Sequence, residues 1–348
     1  MLVMTEAFDI PLVDISPYVS GGDTVGRDAV ARDIDTACST VGFIQVVGHG
    51  IPDGVIDGLA SAMDAFFSMP LGAKREFVTP PSVNRGYSAP KSESLSLSLG
   101  VESADRMKDF FEAFNVGAQA SDHPGLDLPD SDYPENLWPS TGFRAAVTEY
   151  YAHAARVARV LTKIFADALG VGPDFFGALT DHSVDMFRMN NYALPPGEIE
   201  LDGELTGMGA HTDYGIVTVL WADQVAGLQI LGTDRTWHDV SPADGALLIN
   251  LGDLTARLTN DRWMSTLHRV VPPVVDGMIE RRRSAAFFHD GNIDAVIAPL
   301  PSCIEPGESA LYDAVTVADH IRAKLAGSRG GLSNTDAVRE AARVAGAL

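Results

Sequence analysis

From Met186 to Ile297 the chain is written as short apolar runs broken by glycine, proline and aspartate: MFRMNNYAL, IVTVLWA, GLQIL, WHDVS, GALLINLG, HRVVPPVV and SAAFFHD. Each run has the length and composition of a strand, and the residues between them are turn formers. Several short strands at this spacing predict an antiparallel barrel or sandwich. Ahead of this block, IPLVDIS (10–16) and GFIQVVGHGIP (42–52) read as strands, and residues 26–41 and 55–70 as amphipathic helices. Residues 78–107 read as loop-rich, KDFFEAFNVG (108–117) as a strand, and the proline- and aspartate-rich stretch 123–140 as loop. An apolar stripe then predicts a long helix from about Gly142 to Ala168. Behind the β block, AVTVADHIRAKLAG (314–327) returns to helix, GSRGG breaks it, and TDAVREAARVAGAL is a last amphipathic piece. The expected architecture is α+β, with helices packed around one β core.

Inside the β block, GMGAHTDYGIVTVLW (207–221) places His211 and Asp213 two apart at the entry to an apolar run. On a strand, residues i and i+2 share a face, so an imidazole and a carboxylate stand side by side with Thr212 turned away. His268, in STLHRVV, opens another β run and supplies a third donor. Two histidines and one carboxylate on one face of an octahedron leave positions open, the arrangement of non-haem Fe(II) oxygenases. Zinc accepts the same donors, so the triad alone leaves the metal open.

The tie is broken at ERRRSAAFFHD (280–290). Arg282 and Ser284 are two apart and share a strand face. A guanidinium grips a carboxylate through two parallel hydrogen bonds, and a neighbouring hydroxyl adds a third. A hydrolytic zinc site has no general need of such a clamp; an iron oxygenase that consumes 2-oxoglutarate does.

Composition narrows the partners. Aspartate and glutamate outnumber lysine and arginine 47 to 25 over 348 residues, a net charge of −22. Such a surface repels phosphate backbones and anionic lipid, so neither nucleic acid nor a membrane surface is expected as a partner. Apolar residues make up 46% of the chain, enough for a packed core. Two cysteines, Cys38 and Cys303, are too few for a disulfide framework or a thiolate metal site. No secretory leader pattern opens the chain and no apolar run has membrane-spanning length, so a cytoplasmic protein is expected.

The ordered set IPLVDIS, GFIQVVGHGIP, AFFSMP, RMNNY, HTD, GLQI, NLGD, LTNDRWMSTLHRVV and RRSAAFF resembles the isopenicillin N synthase-like family of 2-oxoglutarate- and Fe(II)-dependent dioxygenases, over roughly residues 8–325. The resemblance implies a distorted double-stranded β-helix, or jelly-roll, flanked by helices. It implies Fe(II) on His211, Asp213 and His268, and the 2-oxoglutarate C5 carboxylate on Arg282 and Ser284. It also implies O2 as oxidant, and co-substrate contacts from Asn190 and Tyr192 in FRMNNYALPP. The implied activity couples oxidative decarboxylation of 2-oxoglutarate to hydroxylation, desaturation or cyclisation of a small organic substrate. The chain is expected to be a single catalytic unit: 1–182 a helical N-terminal region with accessory strands, 183–312 the β-helix core, 313–348 the C-terminal helices.

Two details depart from the family pattern. The stretch between His268 and Arg282 is longer than usual, and Asp276 and Gly277 are expected at the tip of an extended hairpin. The register of the clamp is therefore set by SAAFF, with Arg281 and Arg283 as lesser candidates. GAHTDYG and FFHDGN look closer to bacterial members, including the ethylene-forming type, than to plant hormone or flavonoid enzymes. His49 is expected to serve a turn, His289 to pack or support the site, and Phe287 and Phe288 to lie in the core. Two other functions stay open: a 2-oxoglutarate-independent oxidase of the isopenicillin N synthase type, and a non-catalytic module that binds an organic acid. The prime substrate, its pathway and the oligomeric state are not legible in the sequence.

Overall fold

A computed structural model describes residues 10–80, 82–93, 95–99, 109–193, 207–271, 274–275 and 278–329. In chain order its elements begin with β1 (Leu12–Asp14), α1 (Ser16–Val19), α2 (Thr24–Thr40), β2 (Phe43–Val47), α3 (Asp53–Phe67) and α4 (Leu71–Arg75). There follow β3 (Gly86–Ser88), β4 (Glu112–Gly117), α5 (Thr141–Leu169), α6 (Phe175–Thr180), β5 (Met186–Tyr192) and β6 (Met208–His211). Next come β7 (Val217–Ala222), β8 (Leu228–Leu231), β9 (Trp237–Val240), β10 (Leu247–Leu251), α7 (Asp253–Leu258) and β11 (His268–Val270). The described chain closes with β12 (Val274–Val275), β13 (Met278–Ile279), β14 (Arg282–His289), β15 (Val296–Ile297), β16 (Val315–Thr316) and α8 (Val317–Ser328).

Two sheets form the β core. The larger runs β1-β2-β10-β7-β14-β5-β4-β3, and the smaller β6-β11-β8-β9. Four strands of the large sheet thus come from the N-terminal half of the chain. The fold is the jelly-roll double-stranded β-helix with flanking helices.

The large sheet has two faces of different character. On β5, β7 and β14 the odd-numbered residues Phe187, Met189, Val217, Val219, Ala285 and Phe287 are buried in the main apolar core. That core is shared with α5, whose Tyr150 ring stacks on Phe187 at 5.4 Å and whose Tyr151 meets Phe287 edge-on at 5.0 Å. Burying a side chain of this size contributes about 1.5–3 kcal/mol. The helix is held at its ends by Ser140, whose hydroxyl accepts from Phe143 N, and by Gly170 in the left-handed region. The even-numbered residues of the same strands face the other way, into a cavity between the sheets.

Several expectations need correction. β6 ends at His211, so Asp213 lies in the turn that crosses from the small sheet to the large one, not on the strand with His211. The stretch read as loop at 78–107 contains β3, which pairs with β4. Residues 276–277, expected at the hairpin tip, and the C-terminal piece from 335 lie outside the described residues; β12 and β13 on either side of the tip do pair. Phe288 is only half-buried and lines the cavity, because it sits on the even face of β14.

α8 is docked by buried charge as well as apolar contact. Lys324 Nζ lies 2.6 Å from an Asp253 carboxylate oxygen, both side chains 1% exposed. The same carboxylate accepts from Ser265 and Thr212 hydroxyls at 2.7 and 3.0 Å. Removing one partner of a buried pair strands the other charge. Lys324→Met should therefore destabilise the protein by about 3–5 kcal/mol, and adding Asp253→Asn should restore part of the loss. Urea unfolding of the two variants checks this; a double variant no more stable than the single one would contradict it.

Candidate active site

His211 and His268 are direct partners across the β6–β11 pair, and their ring centroids are 4.2 Å apart. Each ring uses Nδ1 on a backbone carbonyl two residues earlier: His211 on Gly209 O at 2.8 Å, His268 on Thr266 O at 3.1 Å. A carbonyl oxygen only accepts, so both Nδ1 atoms carry a proton and Nε2 is the ring atom each histidine turns toward Asp213. Asp213 Oδ1 lies 3.9 Å from His211 Nε2 and 3.7 Å from His268 Nε2. Its other oxygen is held by Asn250 Nδ2 at 2.6 Å and by the Thr218 hydroxyl. These three side chains form a cluster that could hold a metal ion, with ligand atoms within 4.8 Å of one another. Burial, together with the neighbouring His268, pushes the His211 imidazole down to about 3, so it is neutral and able to ligate at neutral pH.

The turn that carries Asp213 is fixed from behind. Thr212, fully buried, donates to Asp253, and Asp253 N donates to Asp213 O at 2.9 Å. Glycine is required where the two turns meet: a Cβ on Gly252 would lie 2.1 Å from Gly215 O.

At the far end of the same cavity, Arg282 faces Tyr192 and Ser284 faces Asn190 across the β14–β5 pair. Arg282 is 2% exposed, its guanidinium lies 5.2 Å over the Tyr192 ring, and its Nε and Nη1 have no hydrogen-bond partner. A buried cation with unfilled donors is costly, and a bidentate carboxylate is the group that fills them. Asn190 Nδ2 donates to Ser284 Oγ at 3.4 Å. Arg281 and Arg283 point to the opposite face and pair with Asp64 at 2.6 and 2.8 Å. The cavity, about 120 Å³, joins all seven expected site residues.

Comparison with known proteins agrees with this chemistry. Residues 184–291 match the 2OG-Fe(II) oxygenase superfamily, and residues 10–141 match the N-terminal family described as non-haem dioxygenase in morphine synthesis. The chain is 34% identical over 320 residues to the 2-oxoglutarate-Fe(II) type oxidoreductase hxnY of Emericella nidulans, covering 90% of this chain and 88% of the relative. It is 30% identical to Validamycin A dioxygenase of Streptomyces hygroscopicus subsp. limoneus over 86% of this chain and 81% of that one. The chain belongs to the 2-oxoglutarate–Fe(II) oxygenase superfamily. Among solved structures, a Neurospora crassa protein in complex with alpha-KG and thymine superposes with a TM-score of 0.77 at 26% identity, over 93% of this chain and 98% of that one.

As a member of this superfamily the protein is an Fe(II)- and 2-oxoglutarate-dependent dioxygenase that uses O2. The donor set fits the ion: two imidazoles and a carboxylate, the latter steadied by Asn250 and Thr218. Most of the relatives are fungal, so the finer expectation of a bacterial member draws no support from them.

The other histidines fall into place. His49 Nε2 meets Gly245 O at 3.1 Å and its Nδ1 accepts from Ile51 N, a turn staple away from the iron site. His289 is buried with Nδ1 2.8 Å from Asp185, behind the cavity wall. Sequence reasoning passes over Arg188, which shares the even face of β5 with Asn190 and Tyr192. The period-two rule that orients those two residues would also find it. It passes over Asn115 and Asp290 as well, for which no local motif gives a signal.

Asp290 lines the cavity and presses its carboxylate on Gly215, where a Cβ would lie 2.0 Å from Oδ1. Burial, then the charges of Asp185 and Asp213, holds its carboxyl well above the usual range. A raised carboxyl favours the folded state at low pH, and that contribution fades as pH rises above the unfolded value near ~4. Metal-free Asp290→Asn should therefore be more stable than wild type at neutral pH. The gap should shrink by up to about 1.4 kcal/mol per pH unit on acidification toward ~4. Denaturation midpoints over that range check this; a gap independent of pH would refute it.

Proposed function

We propose that His211, Asp213 and His268 hold the iron and that Arg282 and Ser284 hold the C5 carboxylate of 2-oxoglutarate, with Asn190 and Tyr192 against the co-substrate. The observation that carries the reading is the buried Arg282 guanidinium, whose Nε and Nη1 are unfilled in the same cavity as the triad. Bound there, iron supplies the oxidising chemistry: O2 and 2-oxoglutarate are consumed to give succinate and CO2 as a substrate C–H bond is hydroxylated.

The chain's own groups do the positioning. Asn250 and Thr218 occupy one oxygen of Asp213 and leave the other toward the metal. The Gly209 and Thr266 carbonyls fix the ring planes of the two histidines. Leu220, Leu228 and Val270 line the cavity and keep water from the clamp. That exclusion strengthens the Arg282–carboxylate attraction.

The prime substrate is a small molecule, a reading supported by the modest cavity and by the Neurospora neighbour, whose structures hold thymine and 5-formyluracil. The chain works as a single catalytic unit with 1–182, 183–312 and 313–348 as its regions, in the cytoplasm of a bacterium. GAHTDYG and FFHDGN support the bacterial placement, and the acidic surface accords with a soluble metabolic enzyme.

The test is anaerobic titration of the Fe(II)-loaded protein with 2-oxoglutarate, read by the weak visible charge-transfer band of the chelate. The band should form in wild type. In Arg282→Ala the affinity should fall at least about 30-fold, the cost of truncating one side of a buried ionic contact. In His211→Ala and Asp213→Ala iron itself should be lost. Iron binding with no band would instead indicate the 2-oxoglutarate-independent oxidase. Full activity in either ligand variant would sink the metal assignment.

A further inference from the structure

The cavity continues past the iron ligands. Along β5 and β14 its floor steps from Arg282–Tyr192 to Ser284–Asn190, then Ala286–Arg188 and Phe288–Met186. Arg188 lies four residues along β5 from Tyr192, roughly 13 Å at the rise of a strand. That span exceeds the length of a five-carbon diacid, so with 2-oxoglutarate at Arg282 the Arg188 end is left for another molecule.

Two groups at this end lack partners, and their chemistry is fixed by their neighbours. Asn84 Oδ1 accepts from Arg329 Nη1 at 2.7 Å. A guanidinium can only donate, so this atom of Asn84 is the oxygen and not the amide nitrogen. Asn115 contacts the same oxygen at 2.9 Å and must therefore present Nδ2 to it. Asn115 Oδ1 is then left buried and unpartnered, on a side chain fully excluded from solvent that lines the cavity. Beside it, Arg188 is the direct cross-strand partner of Asn115 on β4. Arg188 spends Nη2 on Glu93 at 2.7 Å and Nε on Asn190 at 3.1 Å, and its Nη1 has no partner among the described residues. Direct cross-strand partners have Cβ atoms about 5 Å apart. An unfilled acceptor and an unfilled donor thus belong to neighbouring residues that line the same cavity.

The charges at this end are engaged with one another. Glu93 sits between Arg188 and Arg329, with Arg329 Nε at 3.6 Å. A carboxylate would face Glu93 and the Asn115 oxygen; an ammonium would face two guanidinium groups. The remaining walls include Tyr214, Phe288, Leu95, Met186 and Leu325, which favour a flat apolar body.

We propose that the prime substrate is a small neutral ring compound with a lactam-type edge, its N–H donating to Asn115 Oδ1 and its adjacent carbonyl accepting from Arg188. The inference rests on the reading that 2-oxoglutarate takes the Arg282 end. Asn115 and Arg188 are then specificity-determining residues, and the oxidised C–H bond lies on the side of the ring toward His211 and Asp213.

The test uses paired probes, 2-pyridone and N-methyl-2-pyridone, with benzoate and benzylamine as charged controls. Binding is followed calorimetrically and by the shift of the anaerobic Fe(II)–2-oxoglutarate band, neither of which requires turnover. 2-Pyridone should bind wild type at least tenfold more tightly than its N-methyl form and more tightly than either charged control. Asn115→Val should abolish the difference between the pair while 2-oxoglutarate affinity stays within twofold. Equal or undetectable binding of the pair to wild type, or tighter binding of benzoate, would overturn the proposal while leaving the co-substrate reading intact. Loss of the 2-oxoglutarate band in wild type would instead overturn the reading beneath it. The comparison of the two probes on wild type keeps the test decisive even where Asn115→Val folds poorly.

Discussion

The site depends on the two-sidedness of three strands. β5, β7 and β14 each commit their odd residues to α5, and that apolar contact leaves no freedom for the even residues. A slip of one position would send Arg282, Ser284, Asn190, Thr218 and Arg188 into the helix interface and Phe187 and Phe287 into the cavity. The hydrophobic face therefore sets the register, and the chemistry inherits it. This is why a polar, partly unsatisfied surface can be held in place: the opposite face stabilises the strands whatever the cavity contains.

Asp253 plays the corresponding part for the iron turn. Asp213 is beyond the end of β6, where no ladder holds it. Its position comes from Asp253 N, from Thr212 bound to the Asp253 carboxylate, and from the Gly215–Gly252 contact that brings the two turns together. Lys324 neutralises that carboxylate from α8, and α8 also lends Ile321, Leu325 and Ser328 to the cavity wall. The helix that closes the substrate end is thus tied to the residue that steadies the metal end. Any ligand that orders one should stabilise the other, since such coupling is reciprocal.

Much of this is legible in the chain, and the reason is periodicity. The alternation in SAAFF turns Arg282 and Ser284 inward and sends Arg281 and Arg283 out to Asp64, as the structure shows. The long helix is legible to within one residue at either end, at Thr141 and Leu169, because its stripe spans many turns. What escapes are features made by contact between distant segments. The β pattern continues through Asp213 and so assigns it to a strand, whereas Gly215 and Asp253 pull it into a turn. Lys324 reads as one more helical cation, since nothing local reveals that Asp253 lies opposite. Apolarity alone places Phe288 in the core, although the period-two rule that orients Ser284 also turns Phe288 inward to the cavity.

Several groups that the fold leaves unsatisfied gather in one place. Arg282 Nε and Nη1 and Asn115 Oδ1 belong to residues of one cavity, which His211, Asp213 and His268 also line. The Tyr150 hydroxyl, by contrast, is buried without a partner on a residue of the main apolar core. Two buried lysines elsewhere are matched by carboxylates: Lys74 with Glu112 at 2.5 Å, Lys324 with Asp253 at 2.6 Å. A chain able to pair those ions is not generally poor at pairing. The cavity set is therefore better read as one array, each atom defined by what it lacks: a carboxylate, an N–H donor. Filling any one of them returns desolvation cost already incurred on folding, so ligands at this site should act as stabilisers of the native state as well as reactants.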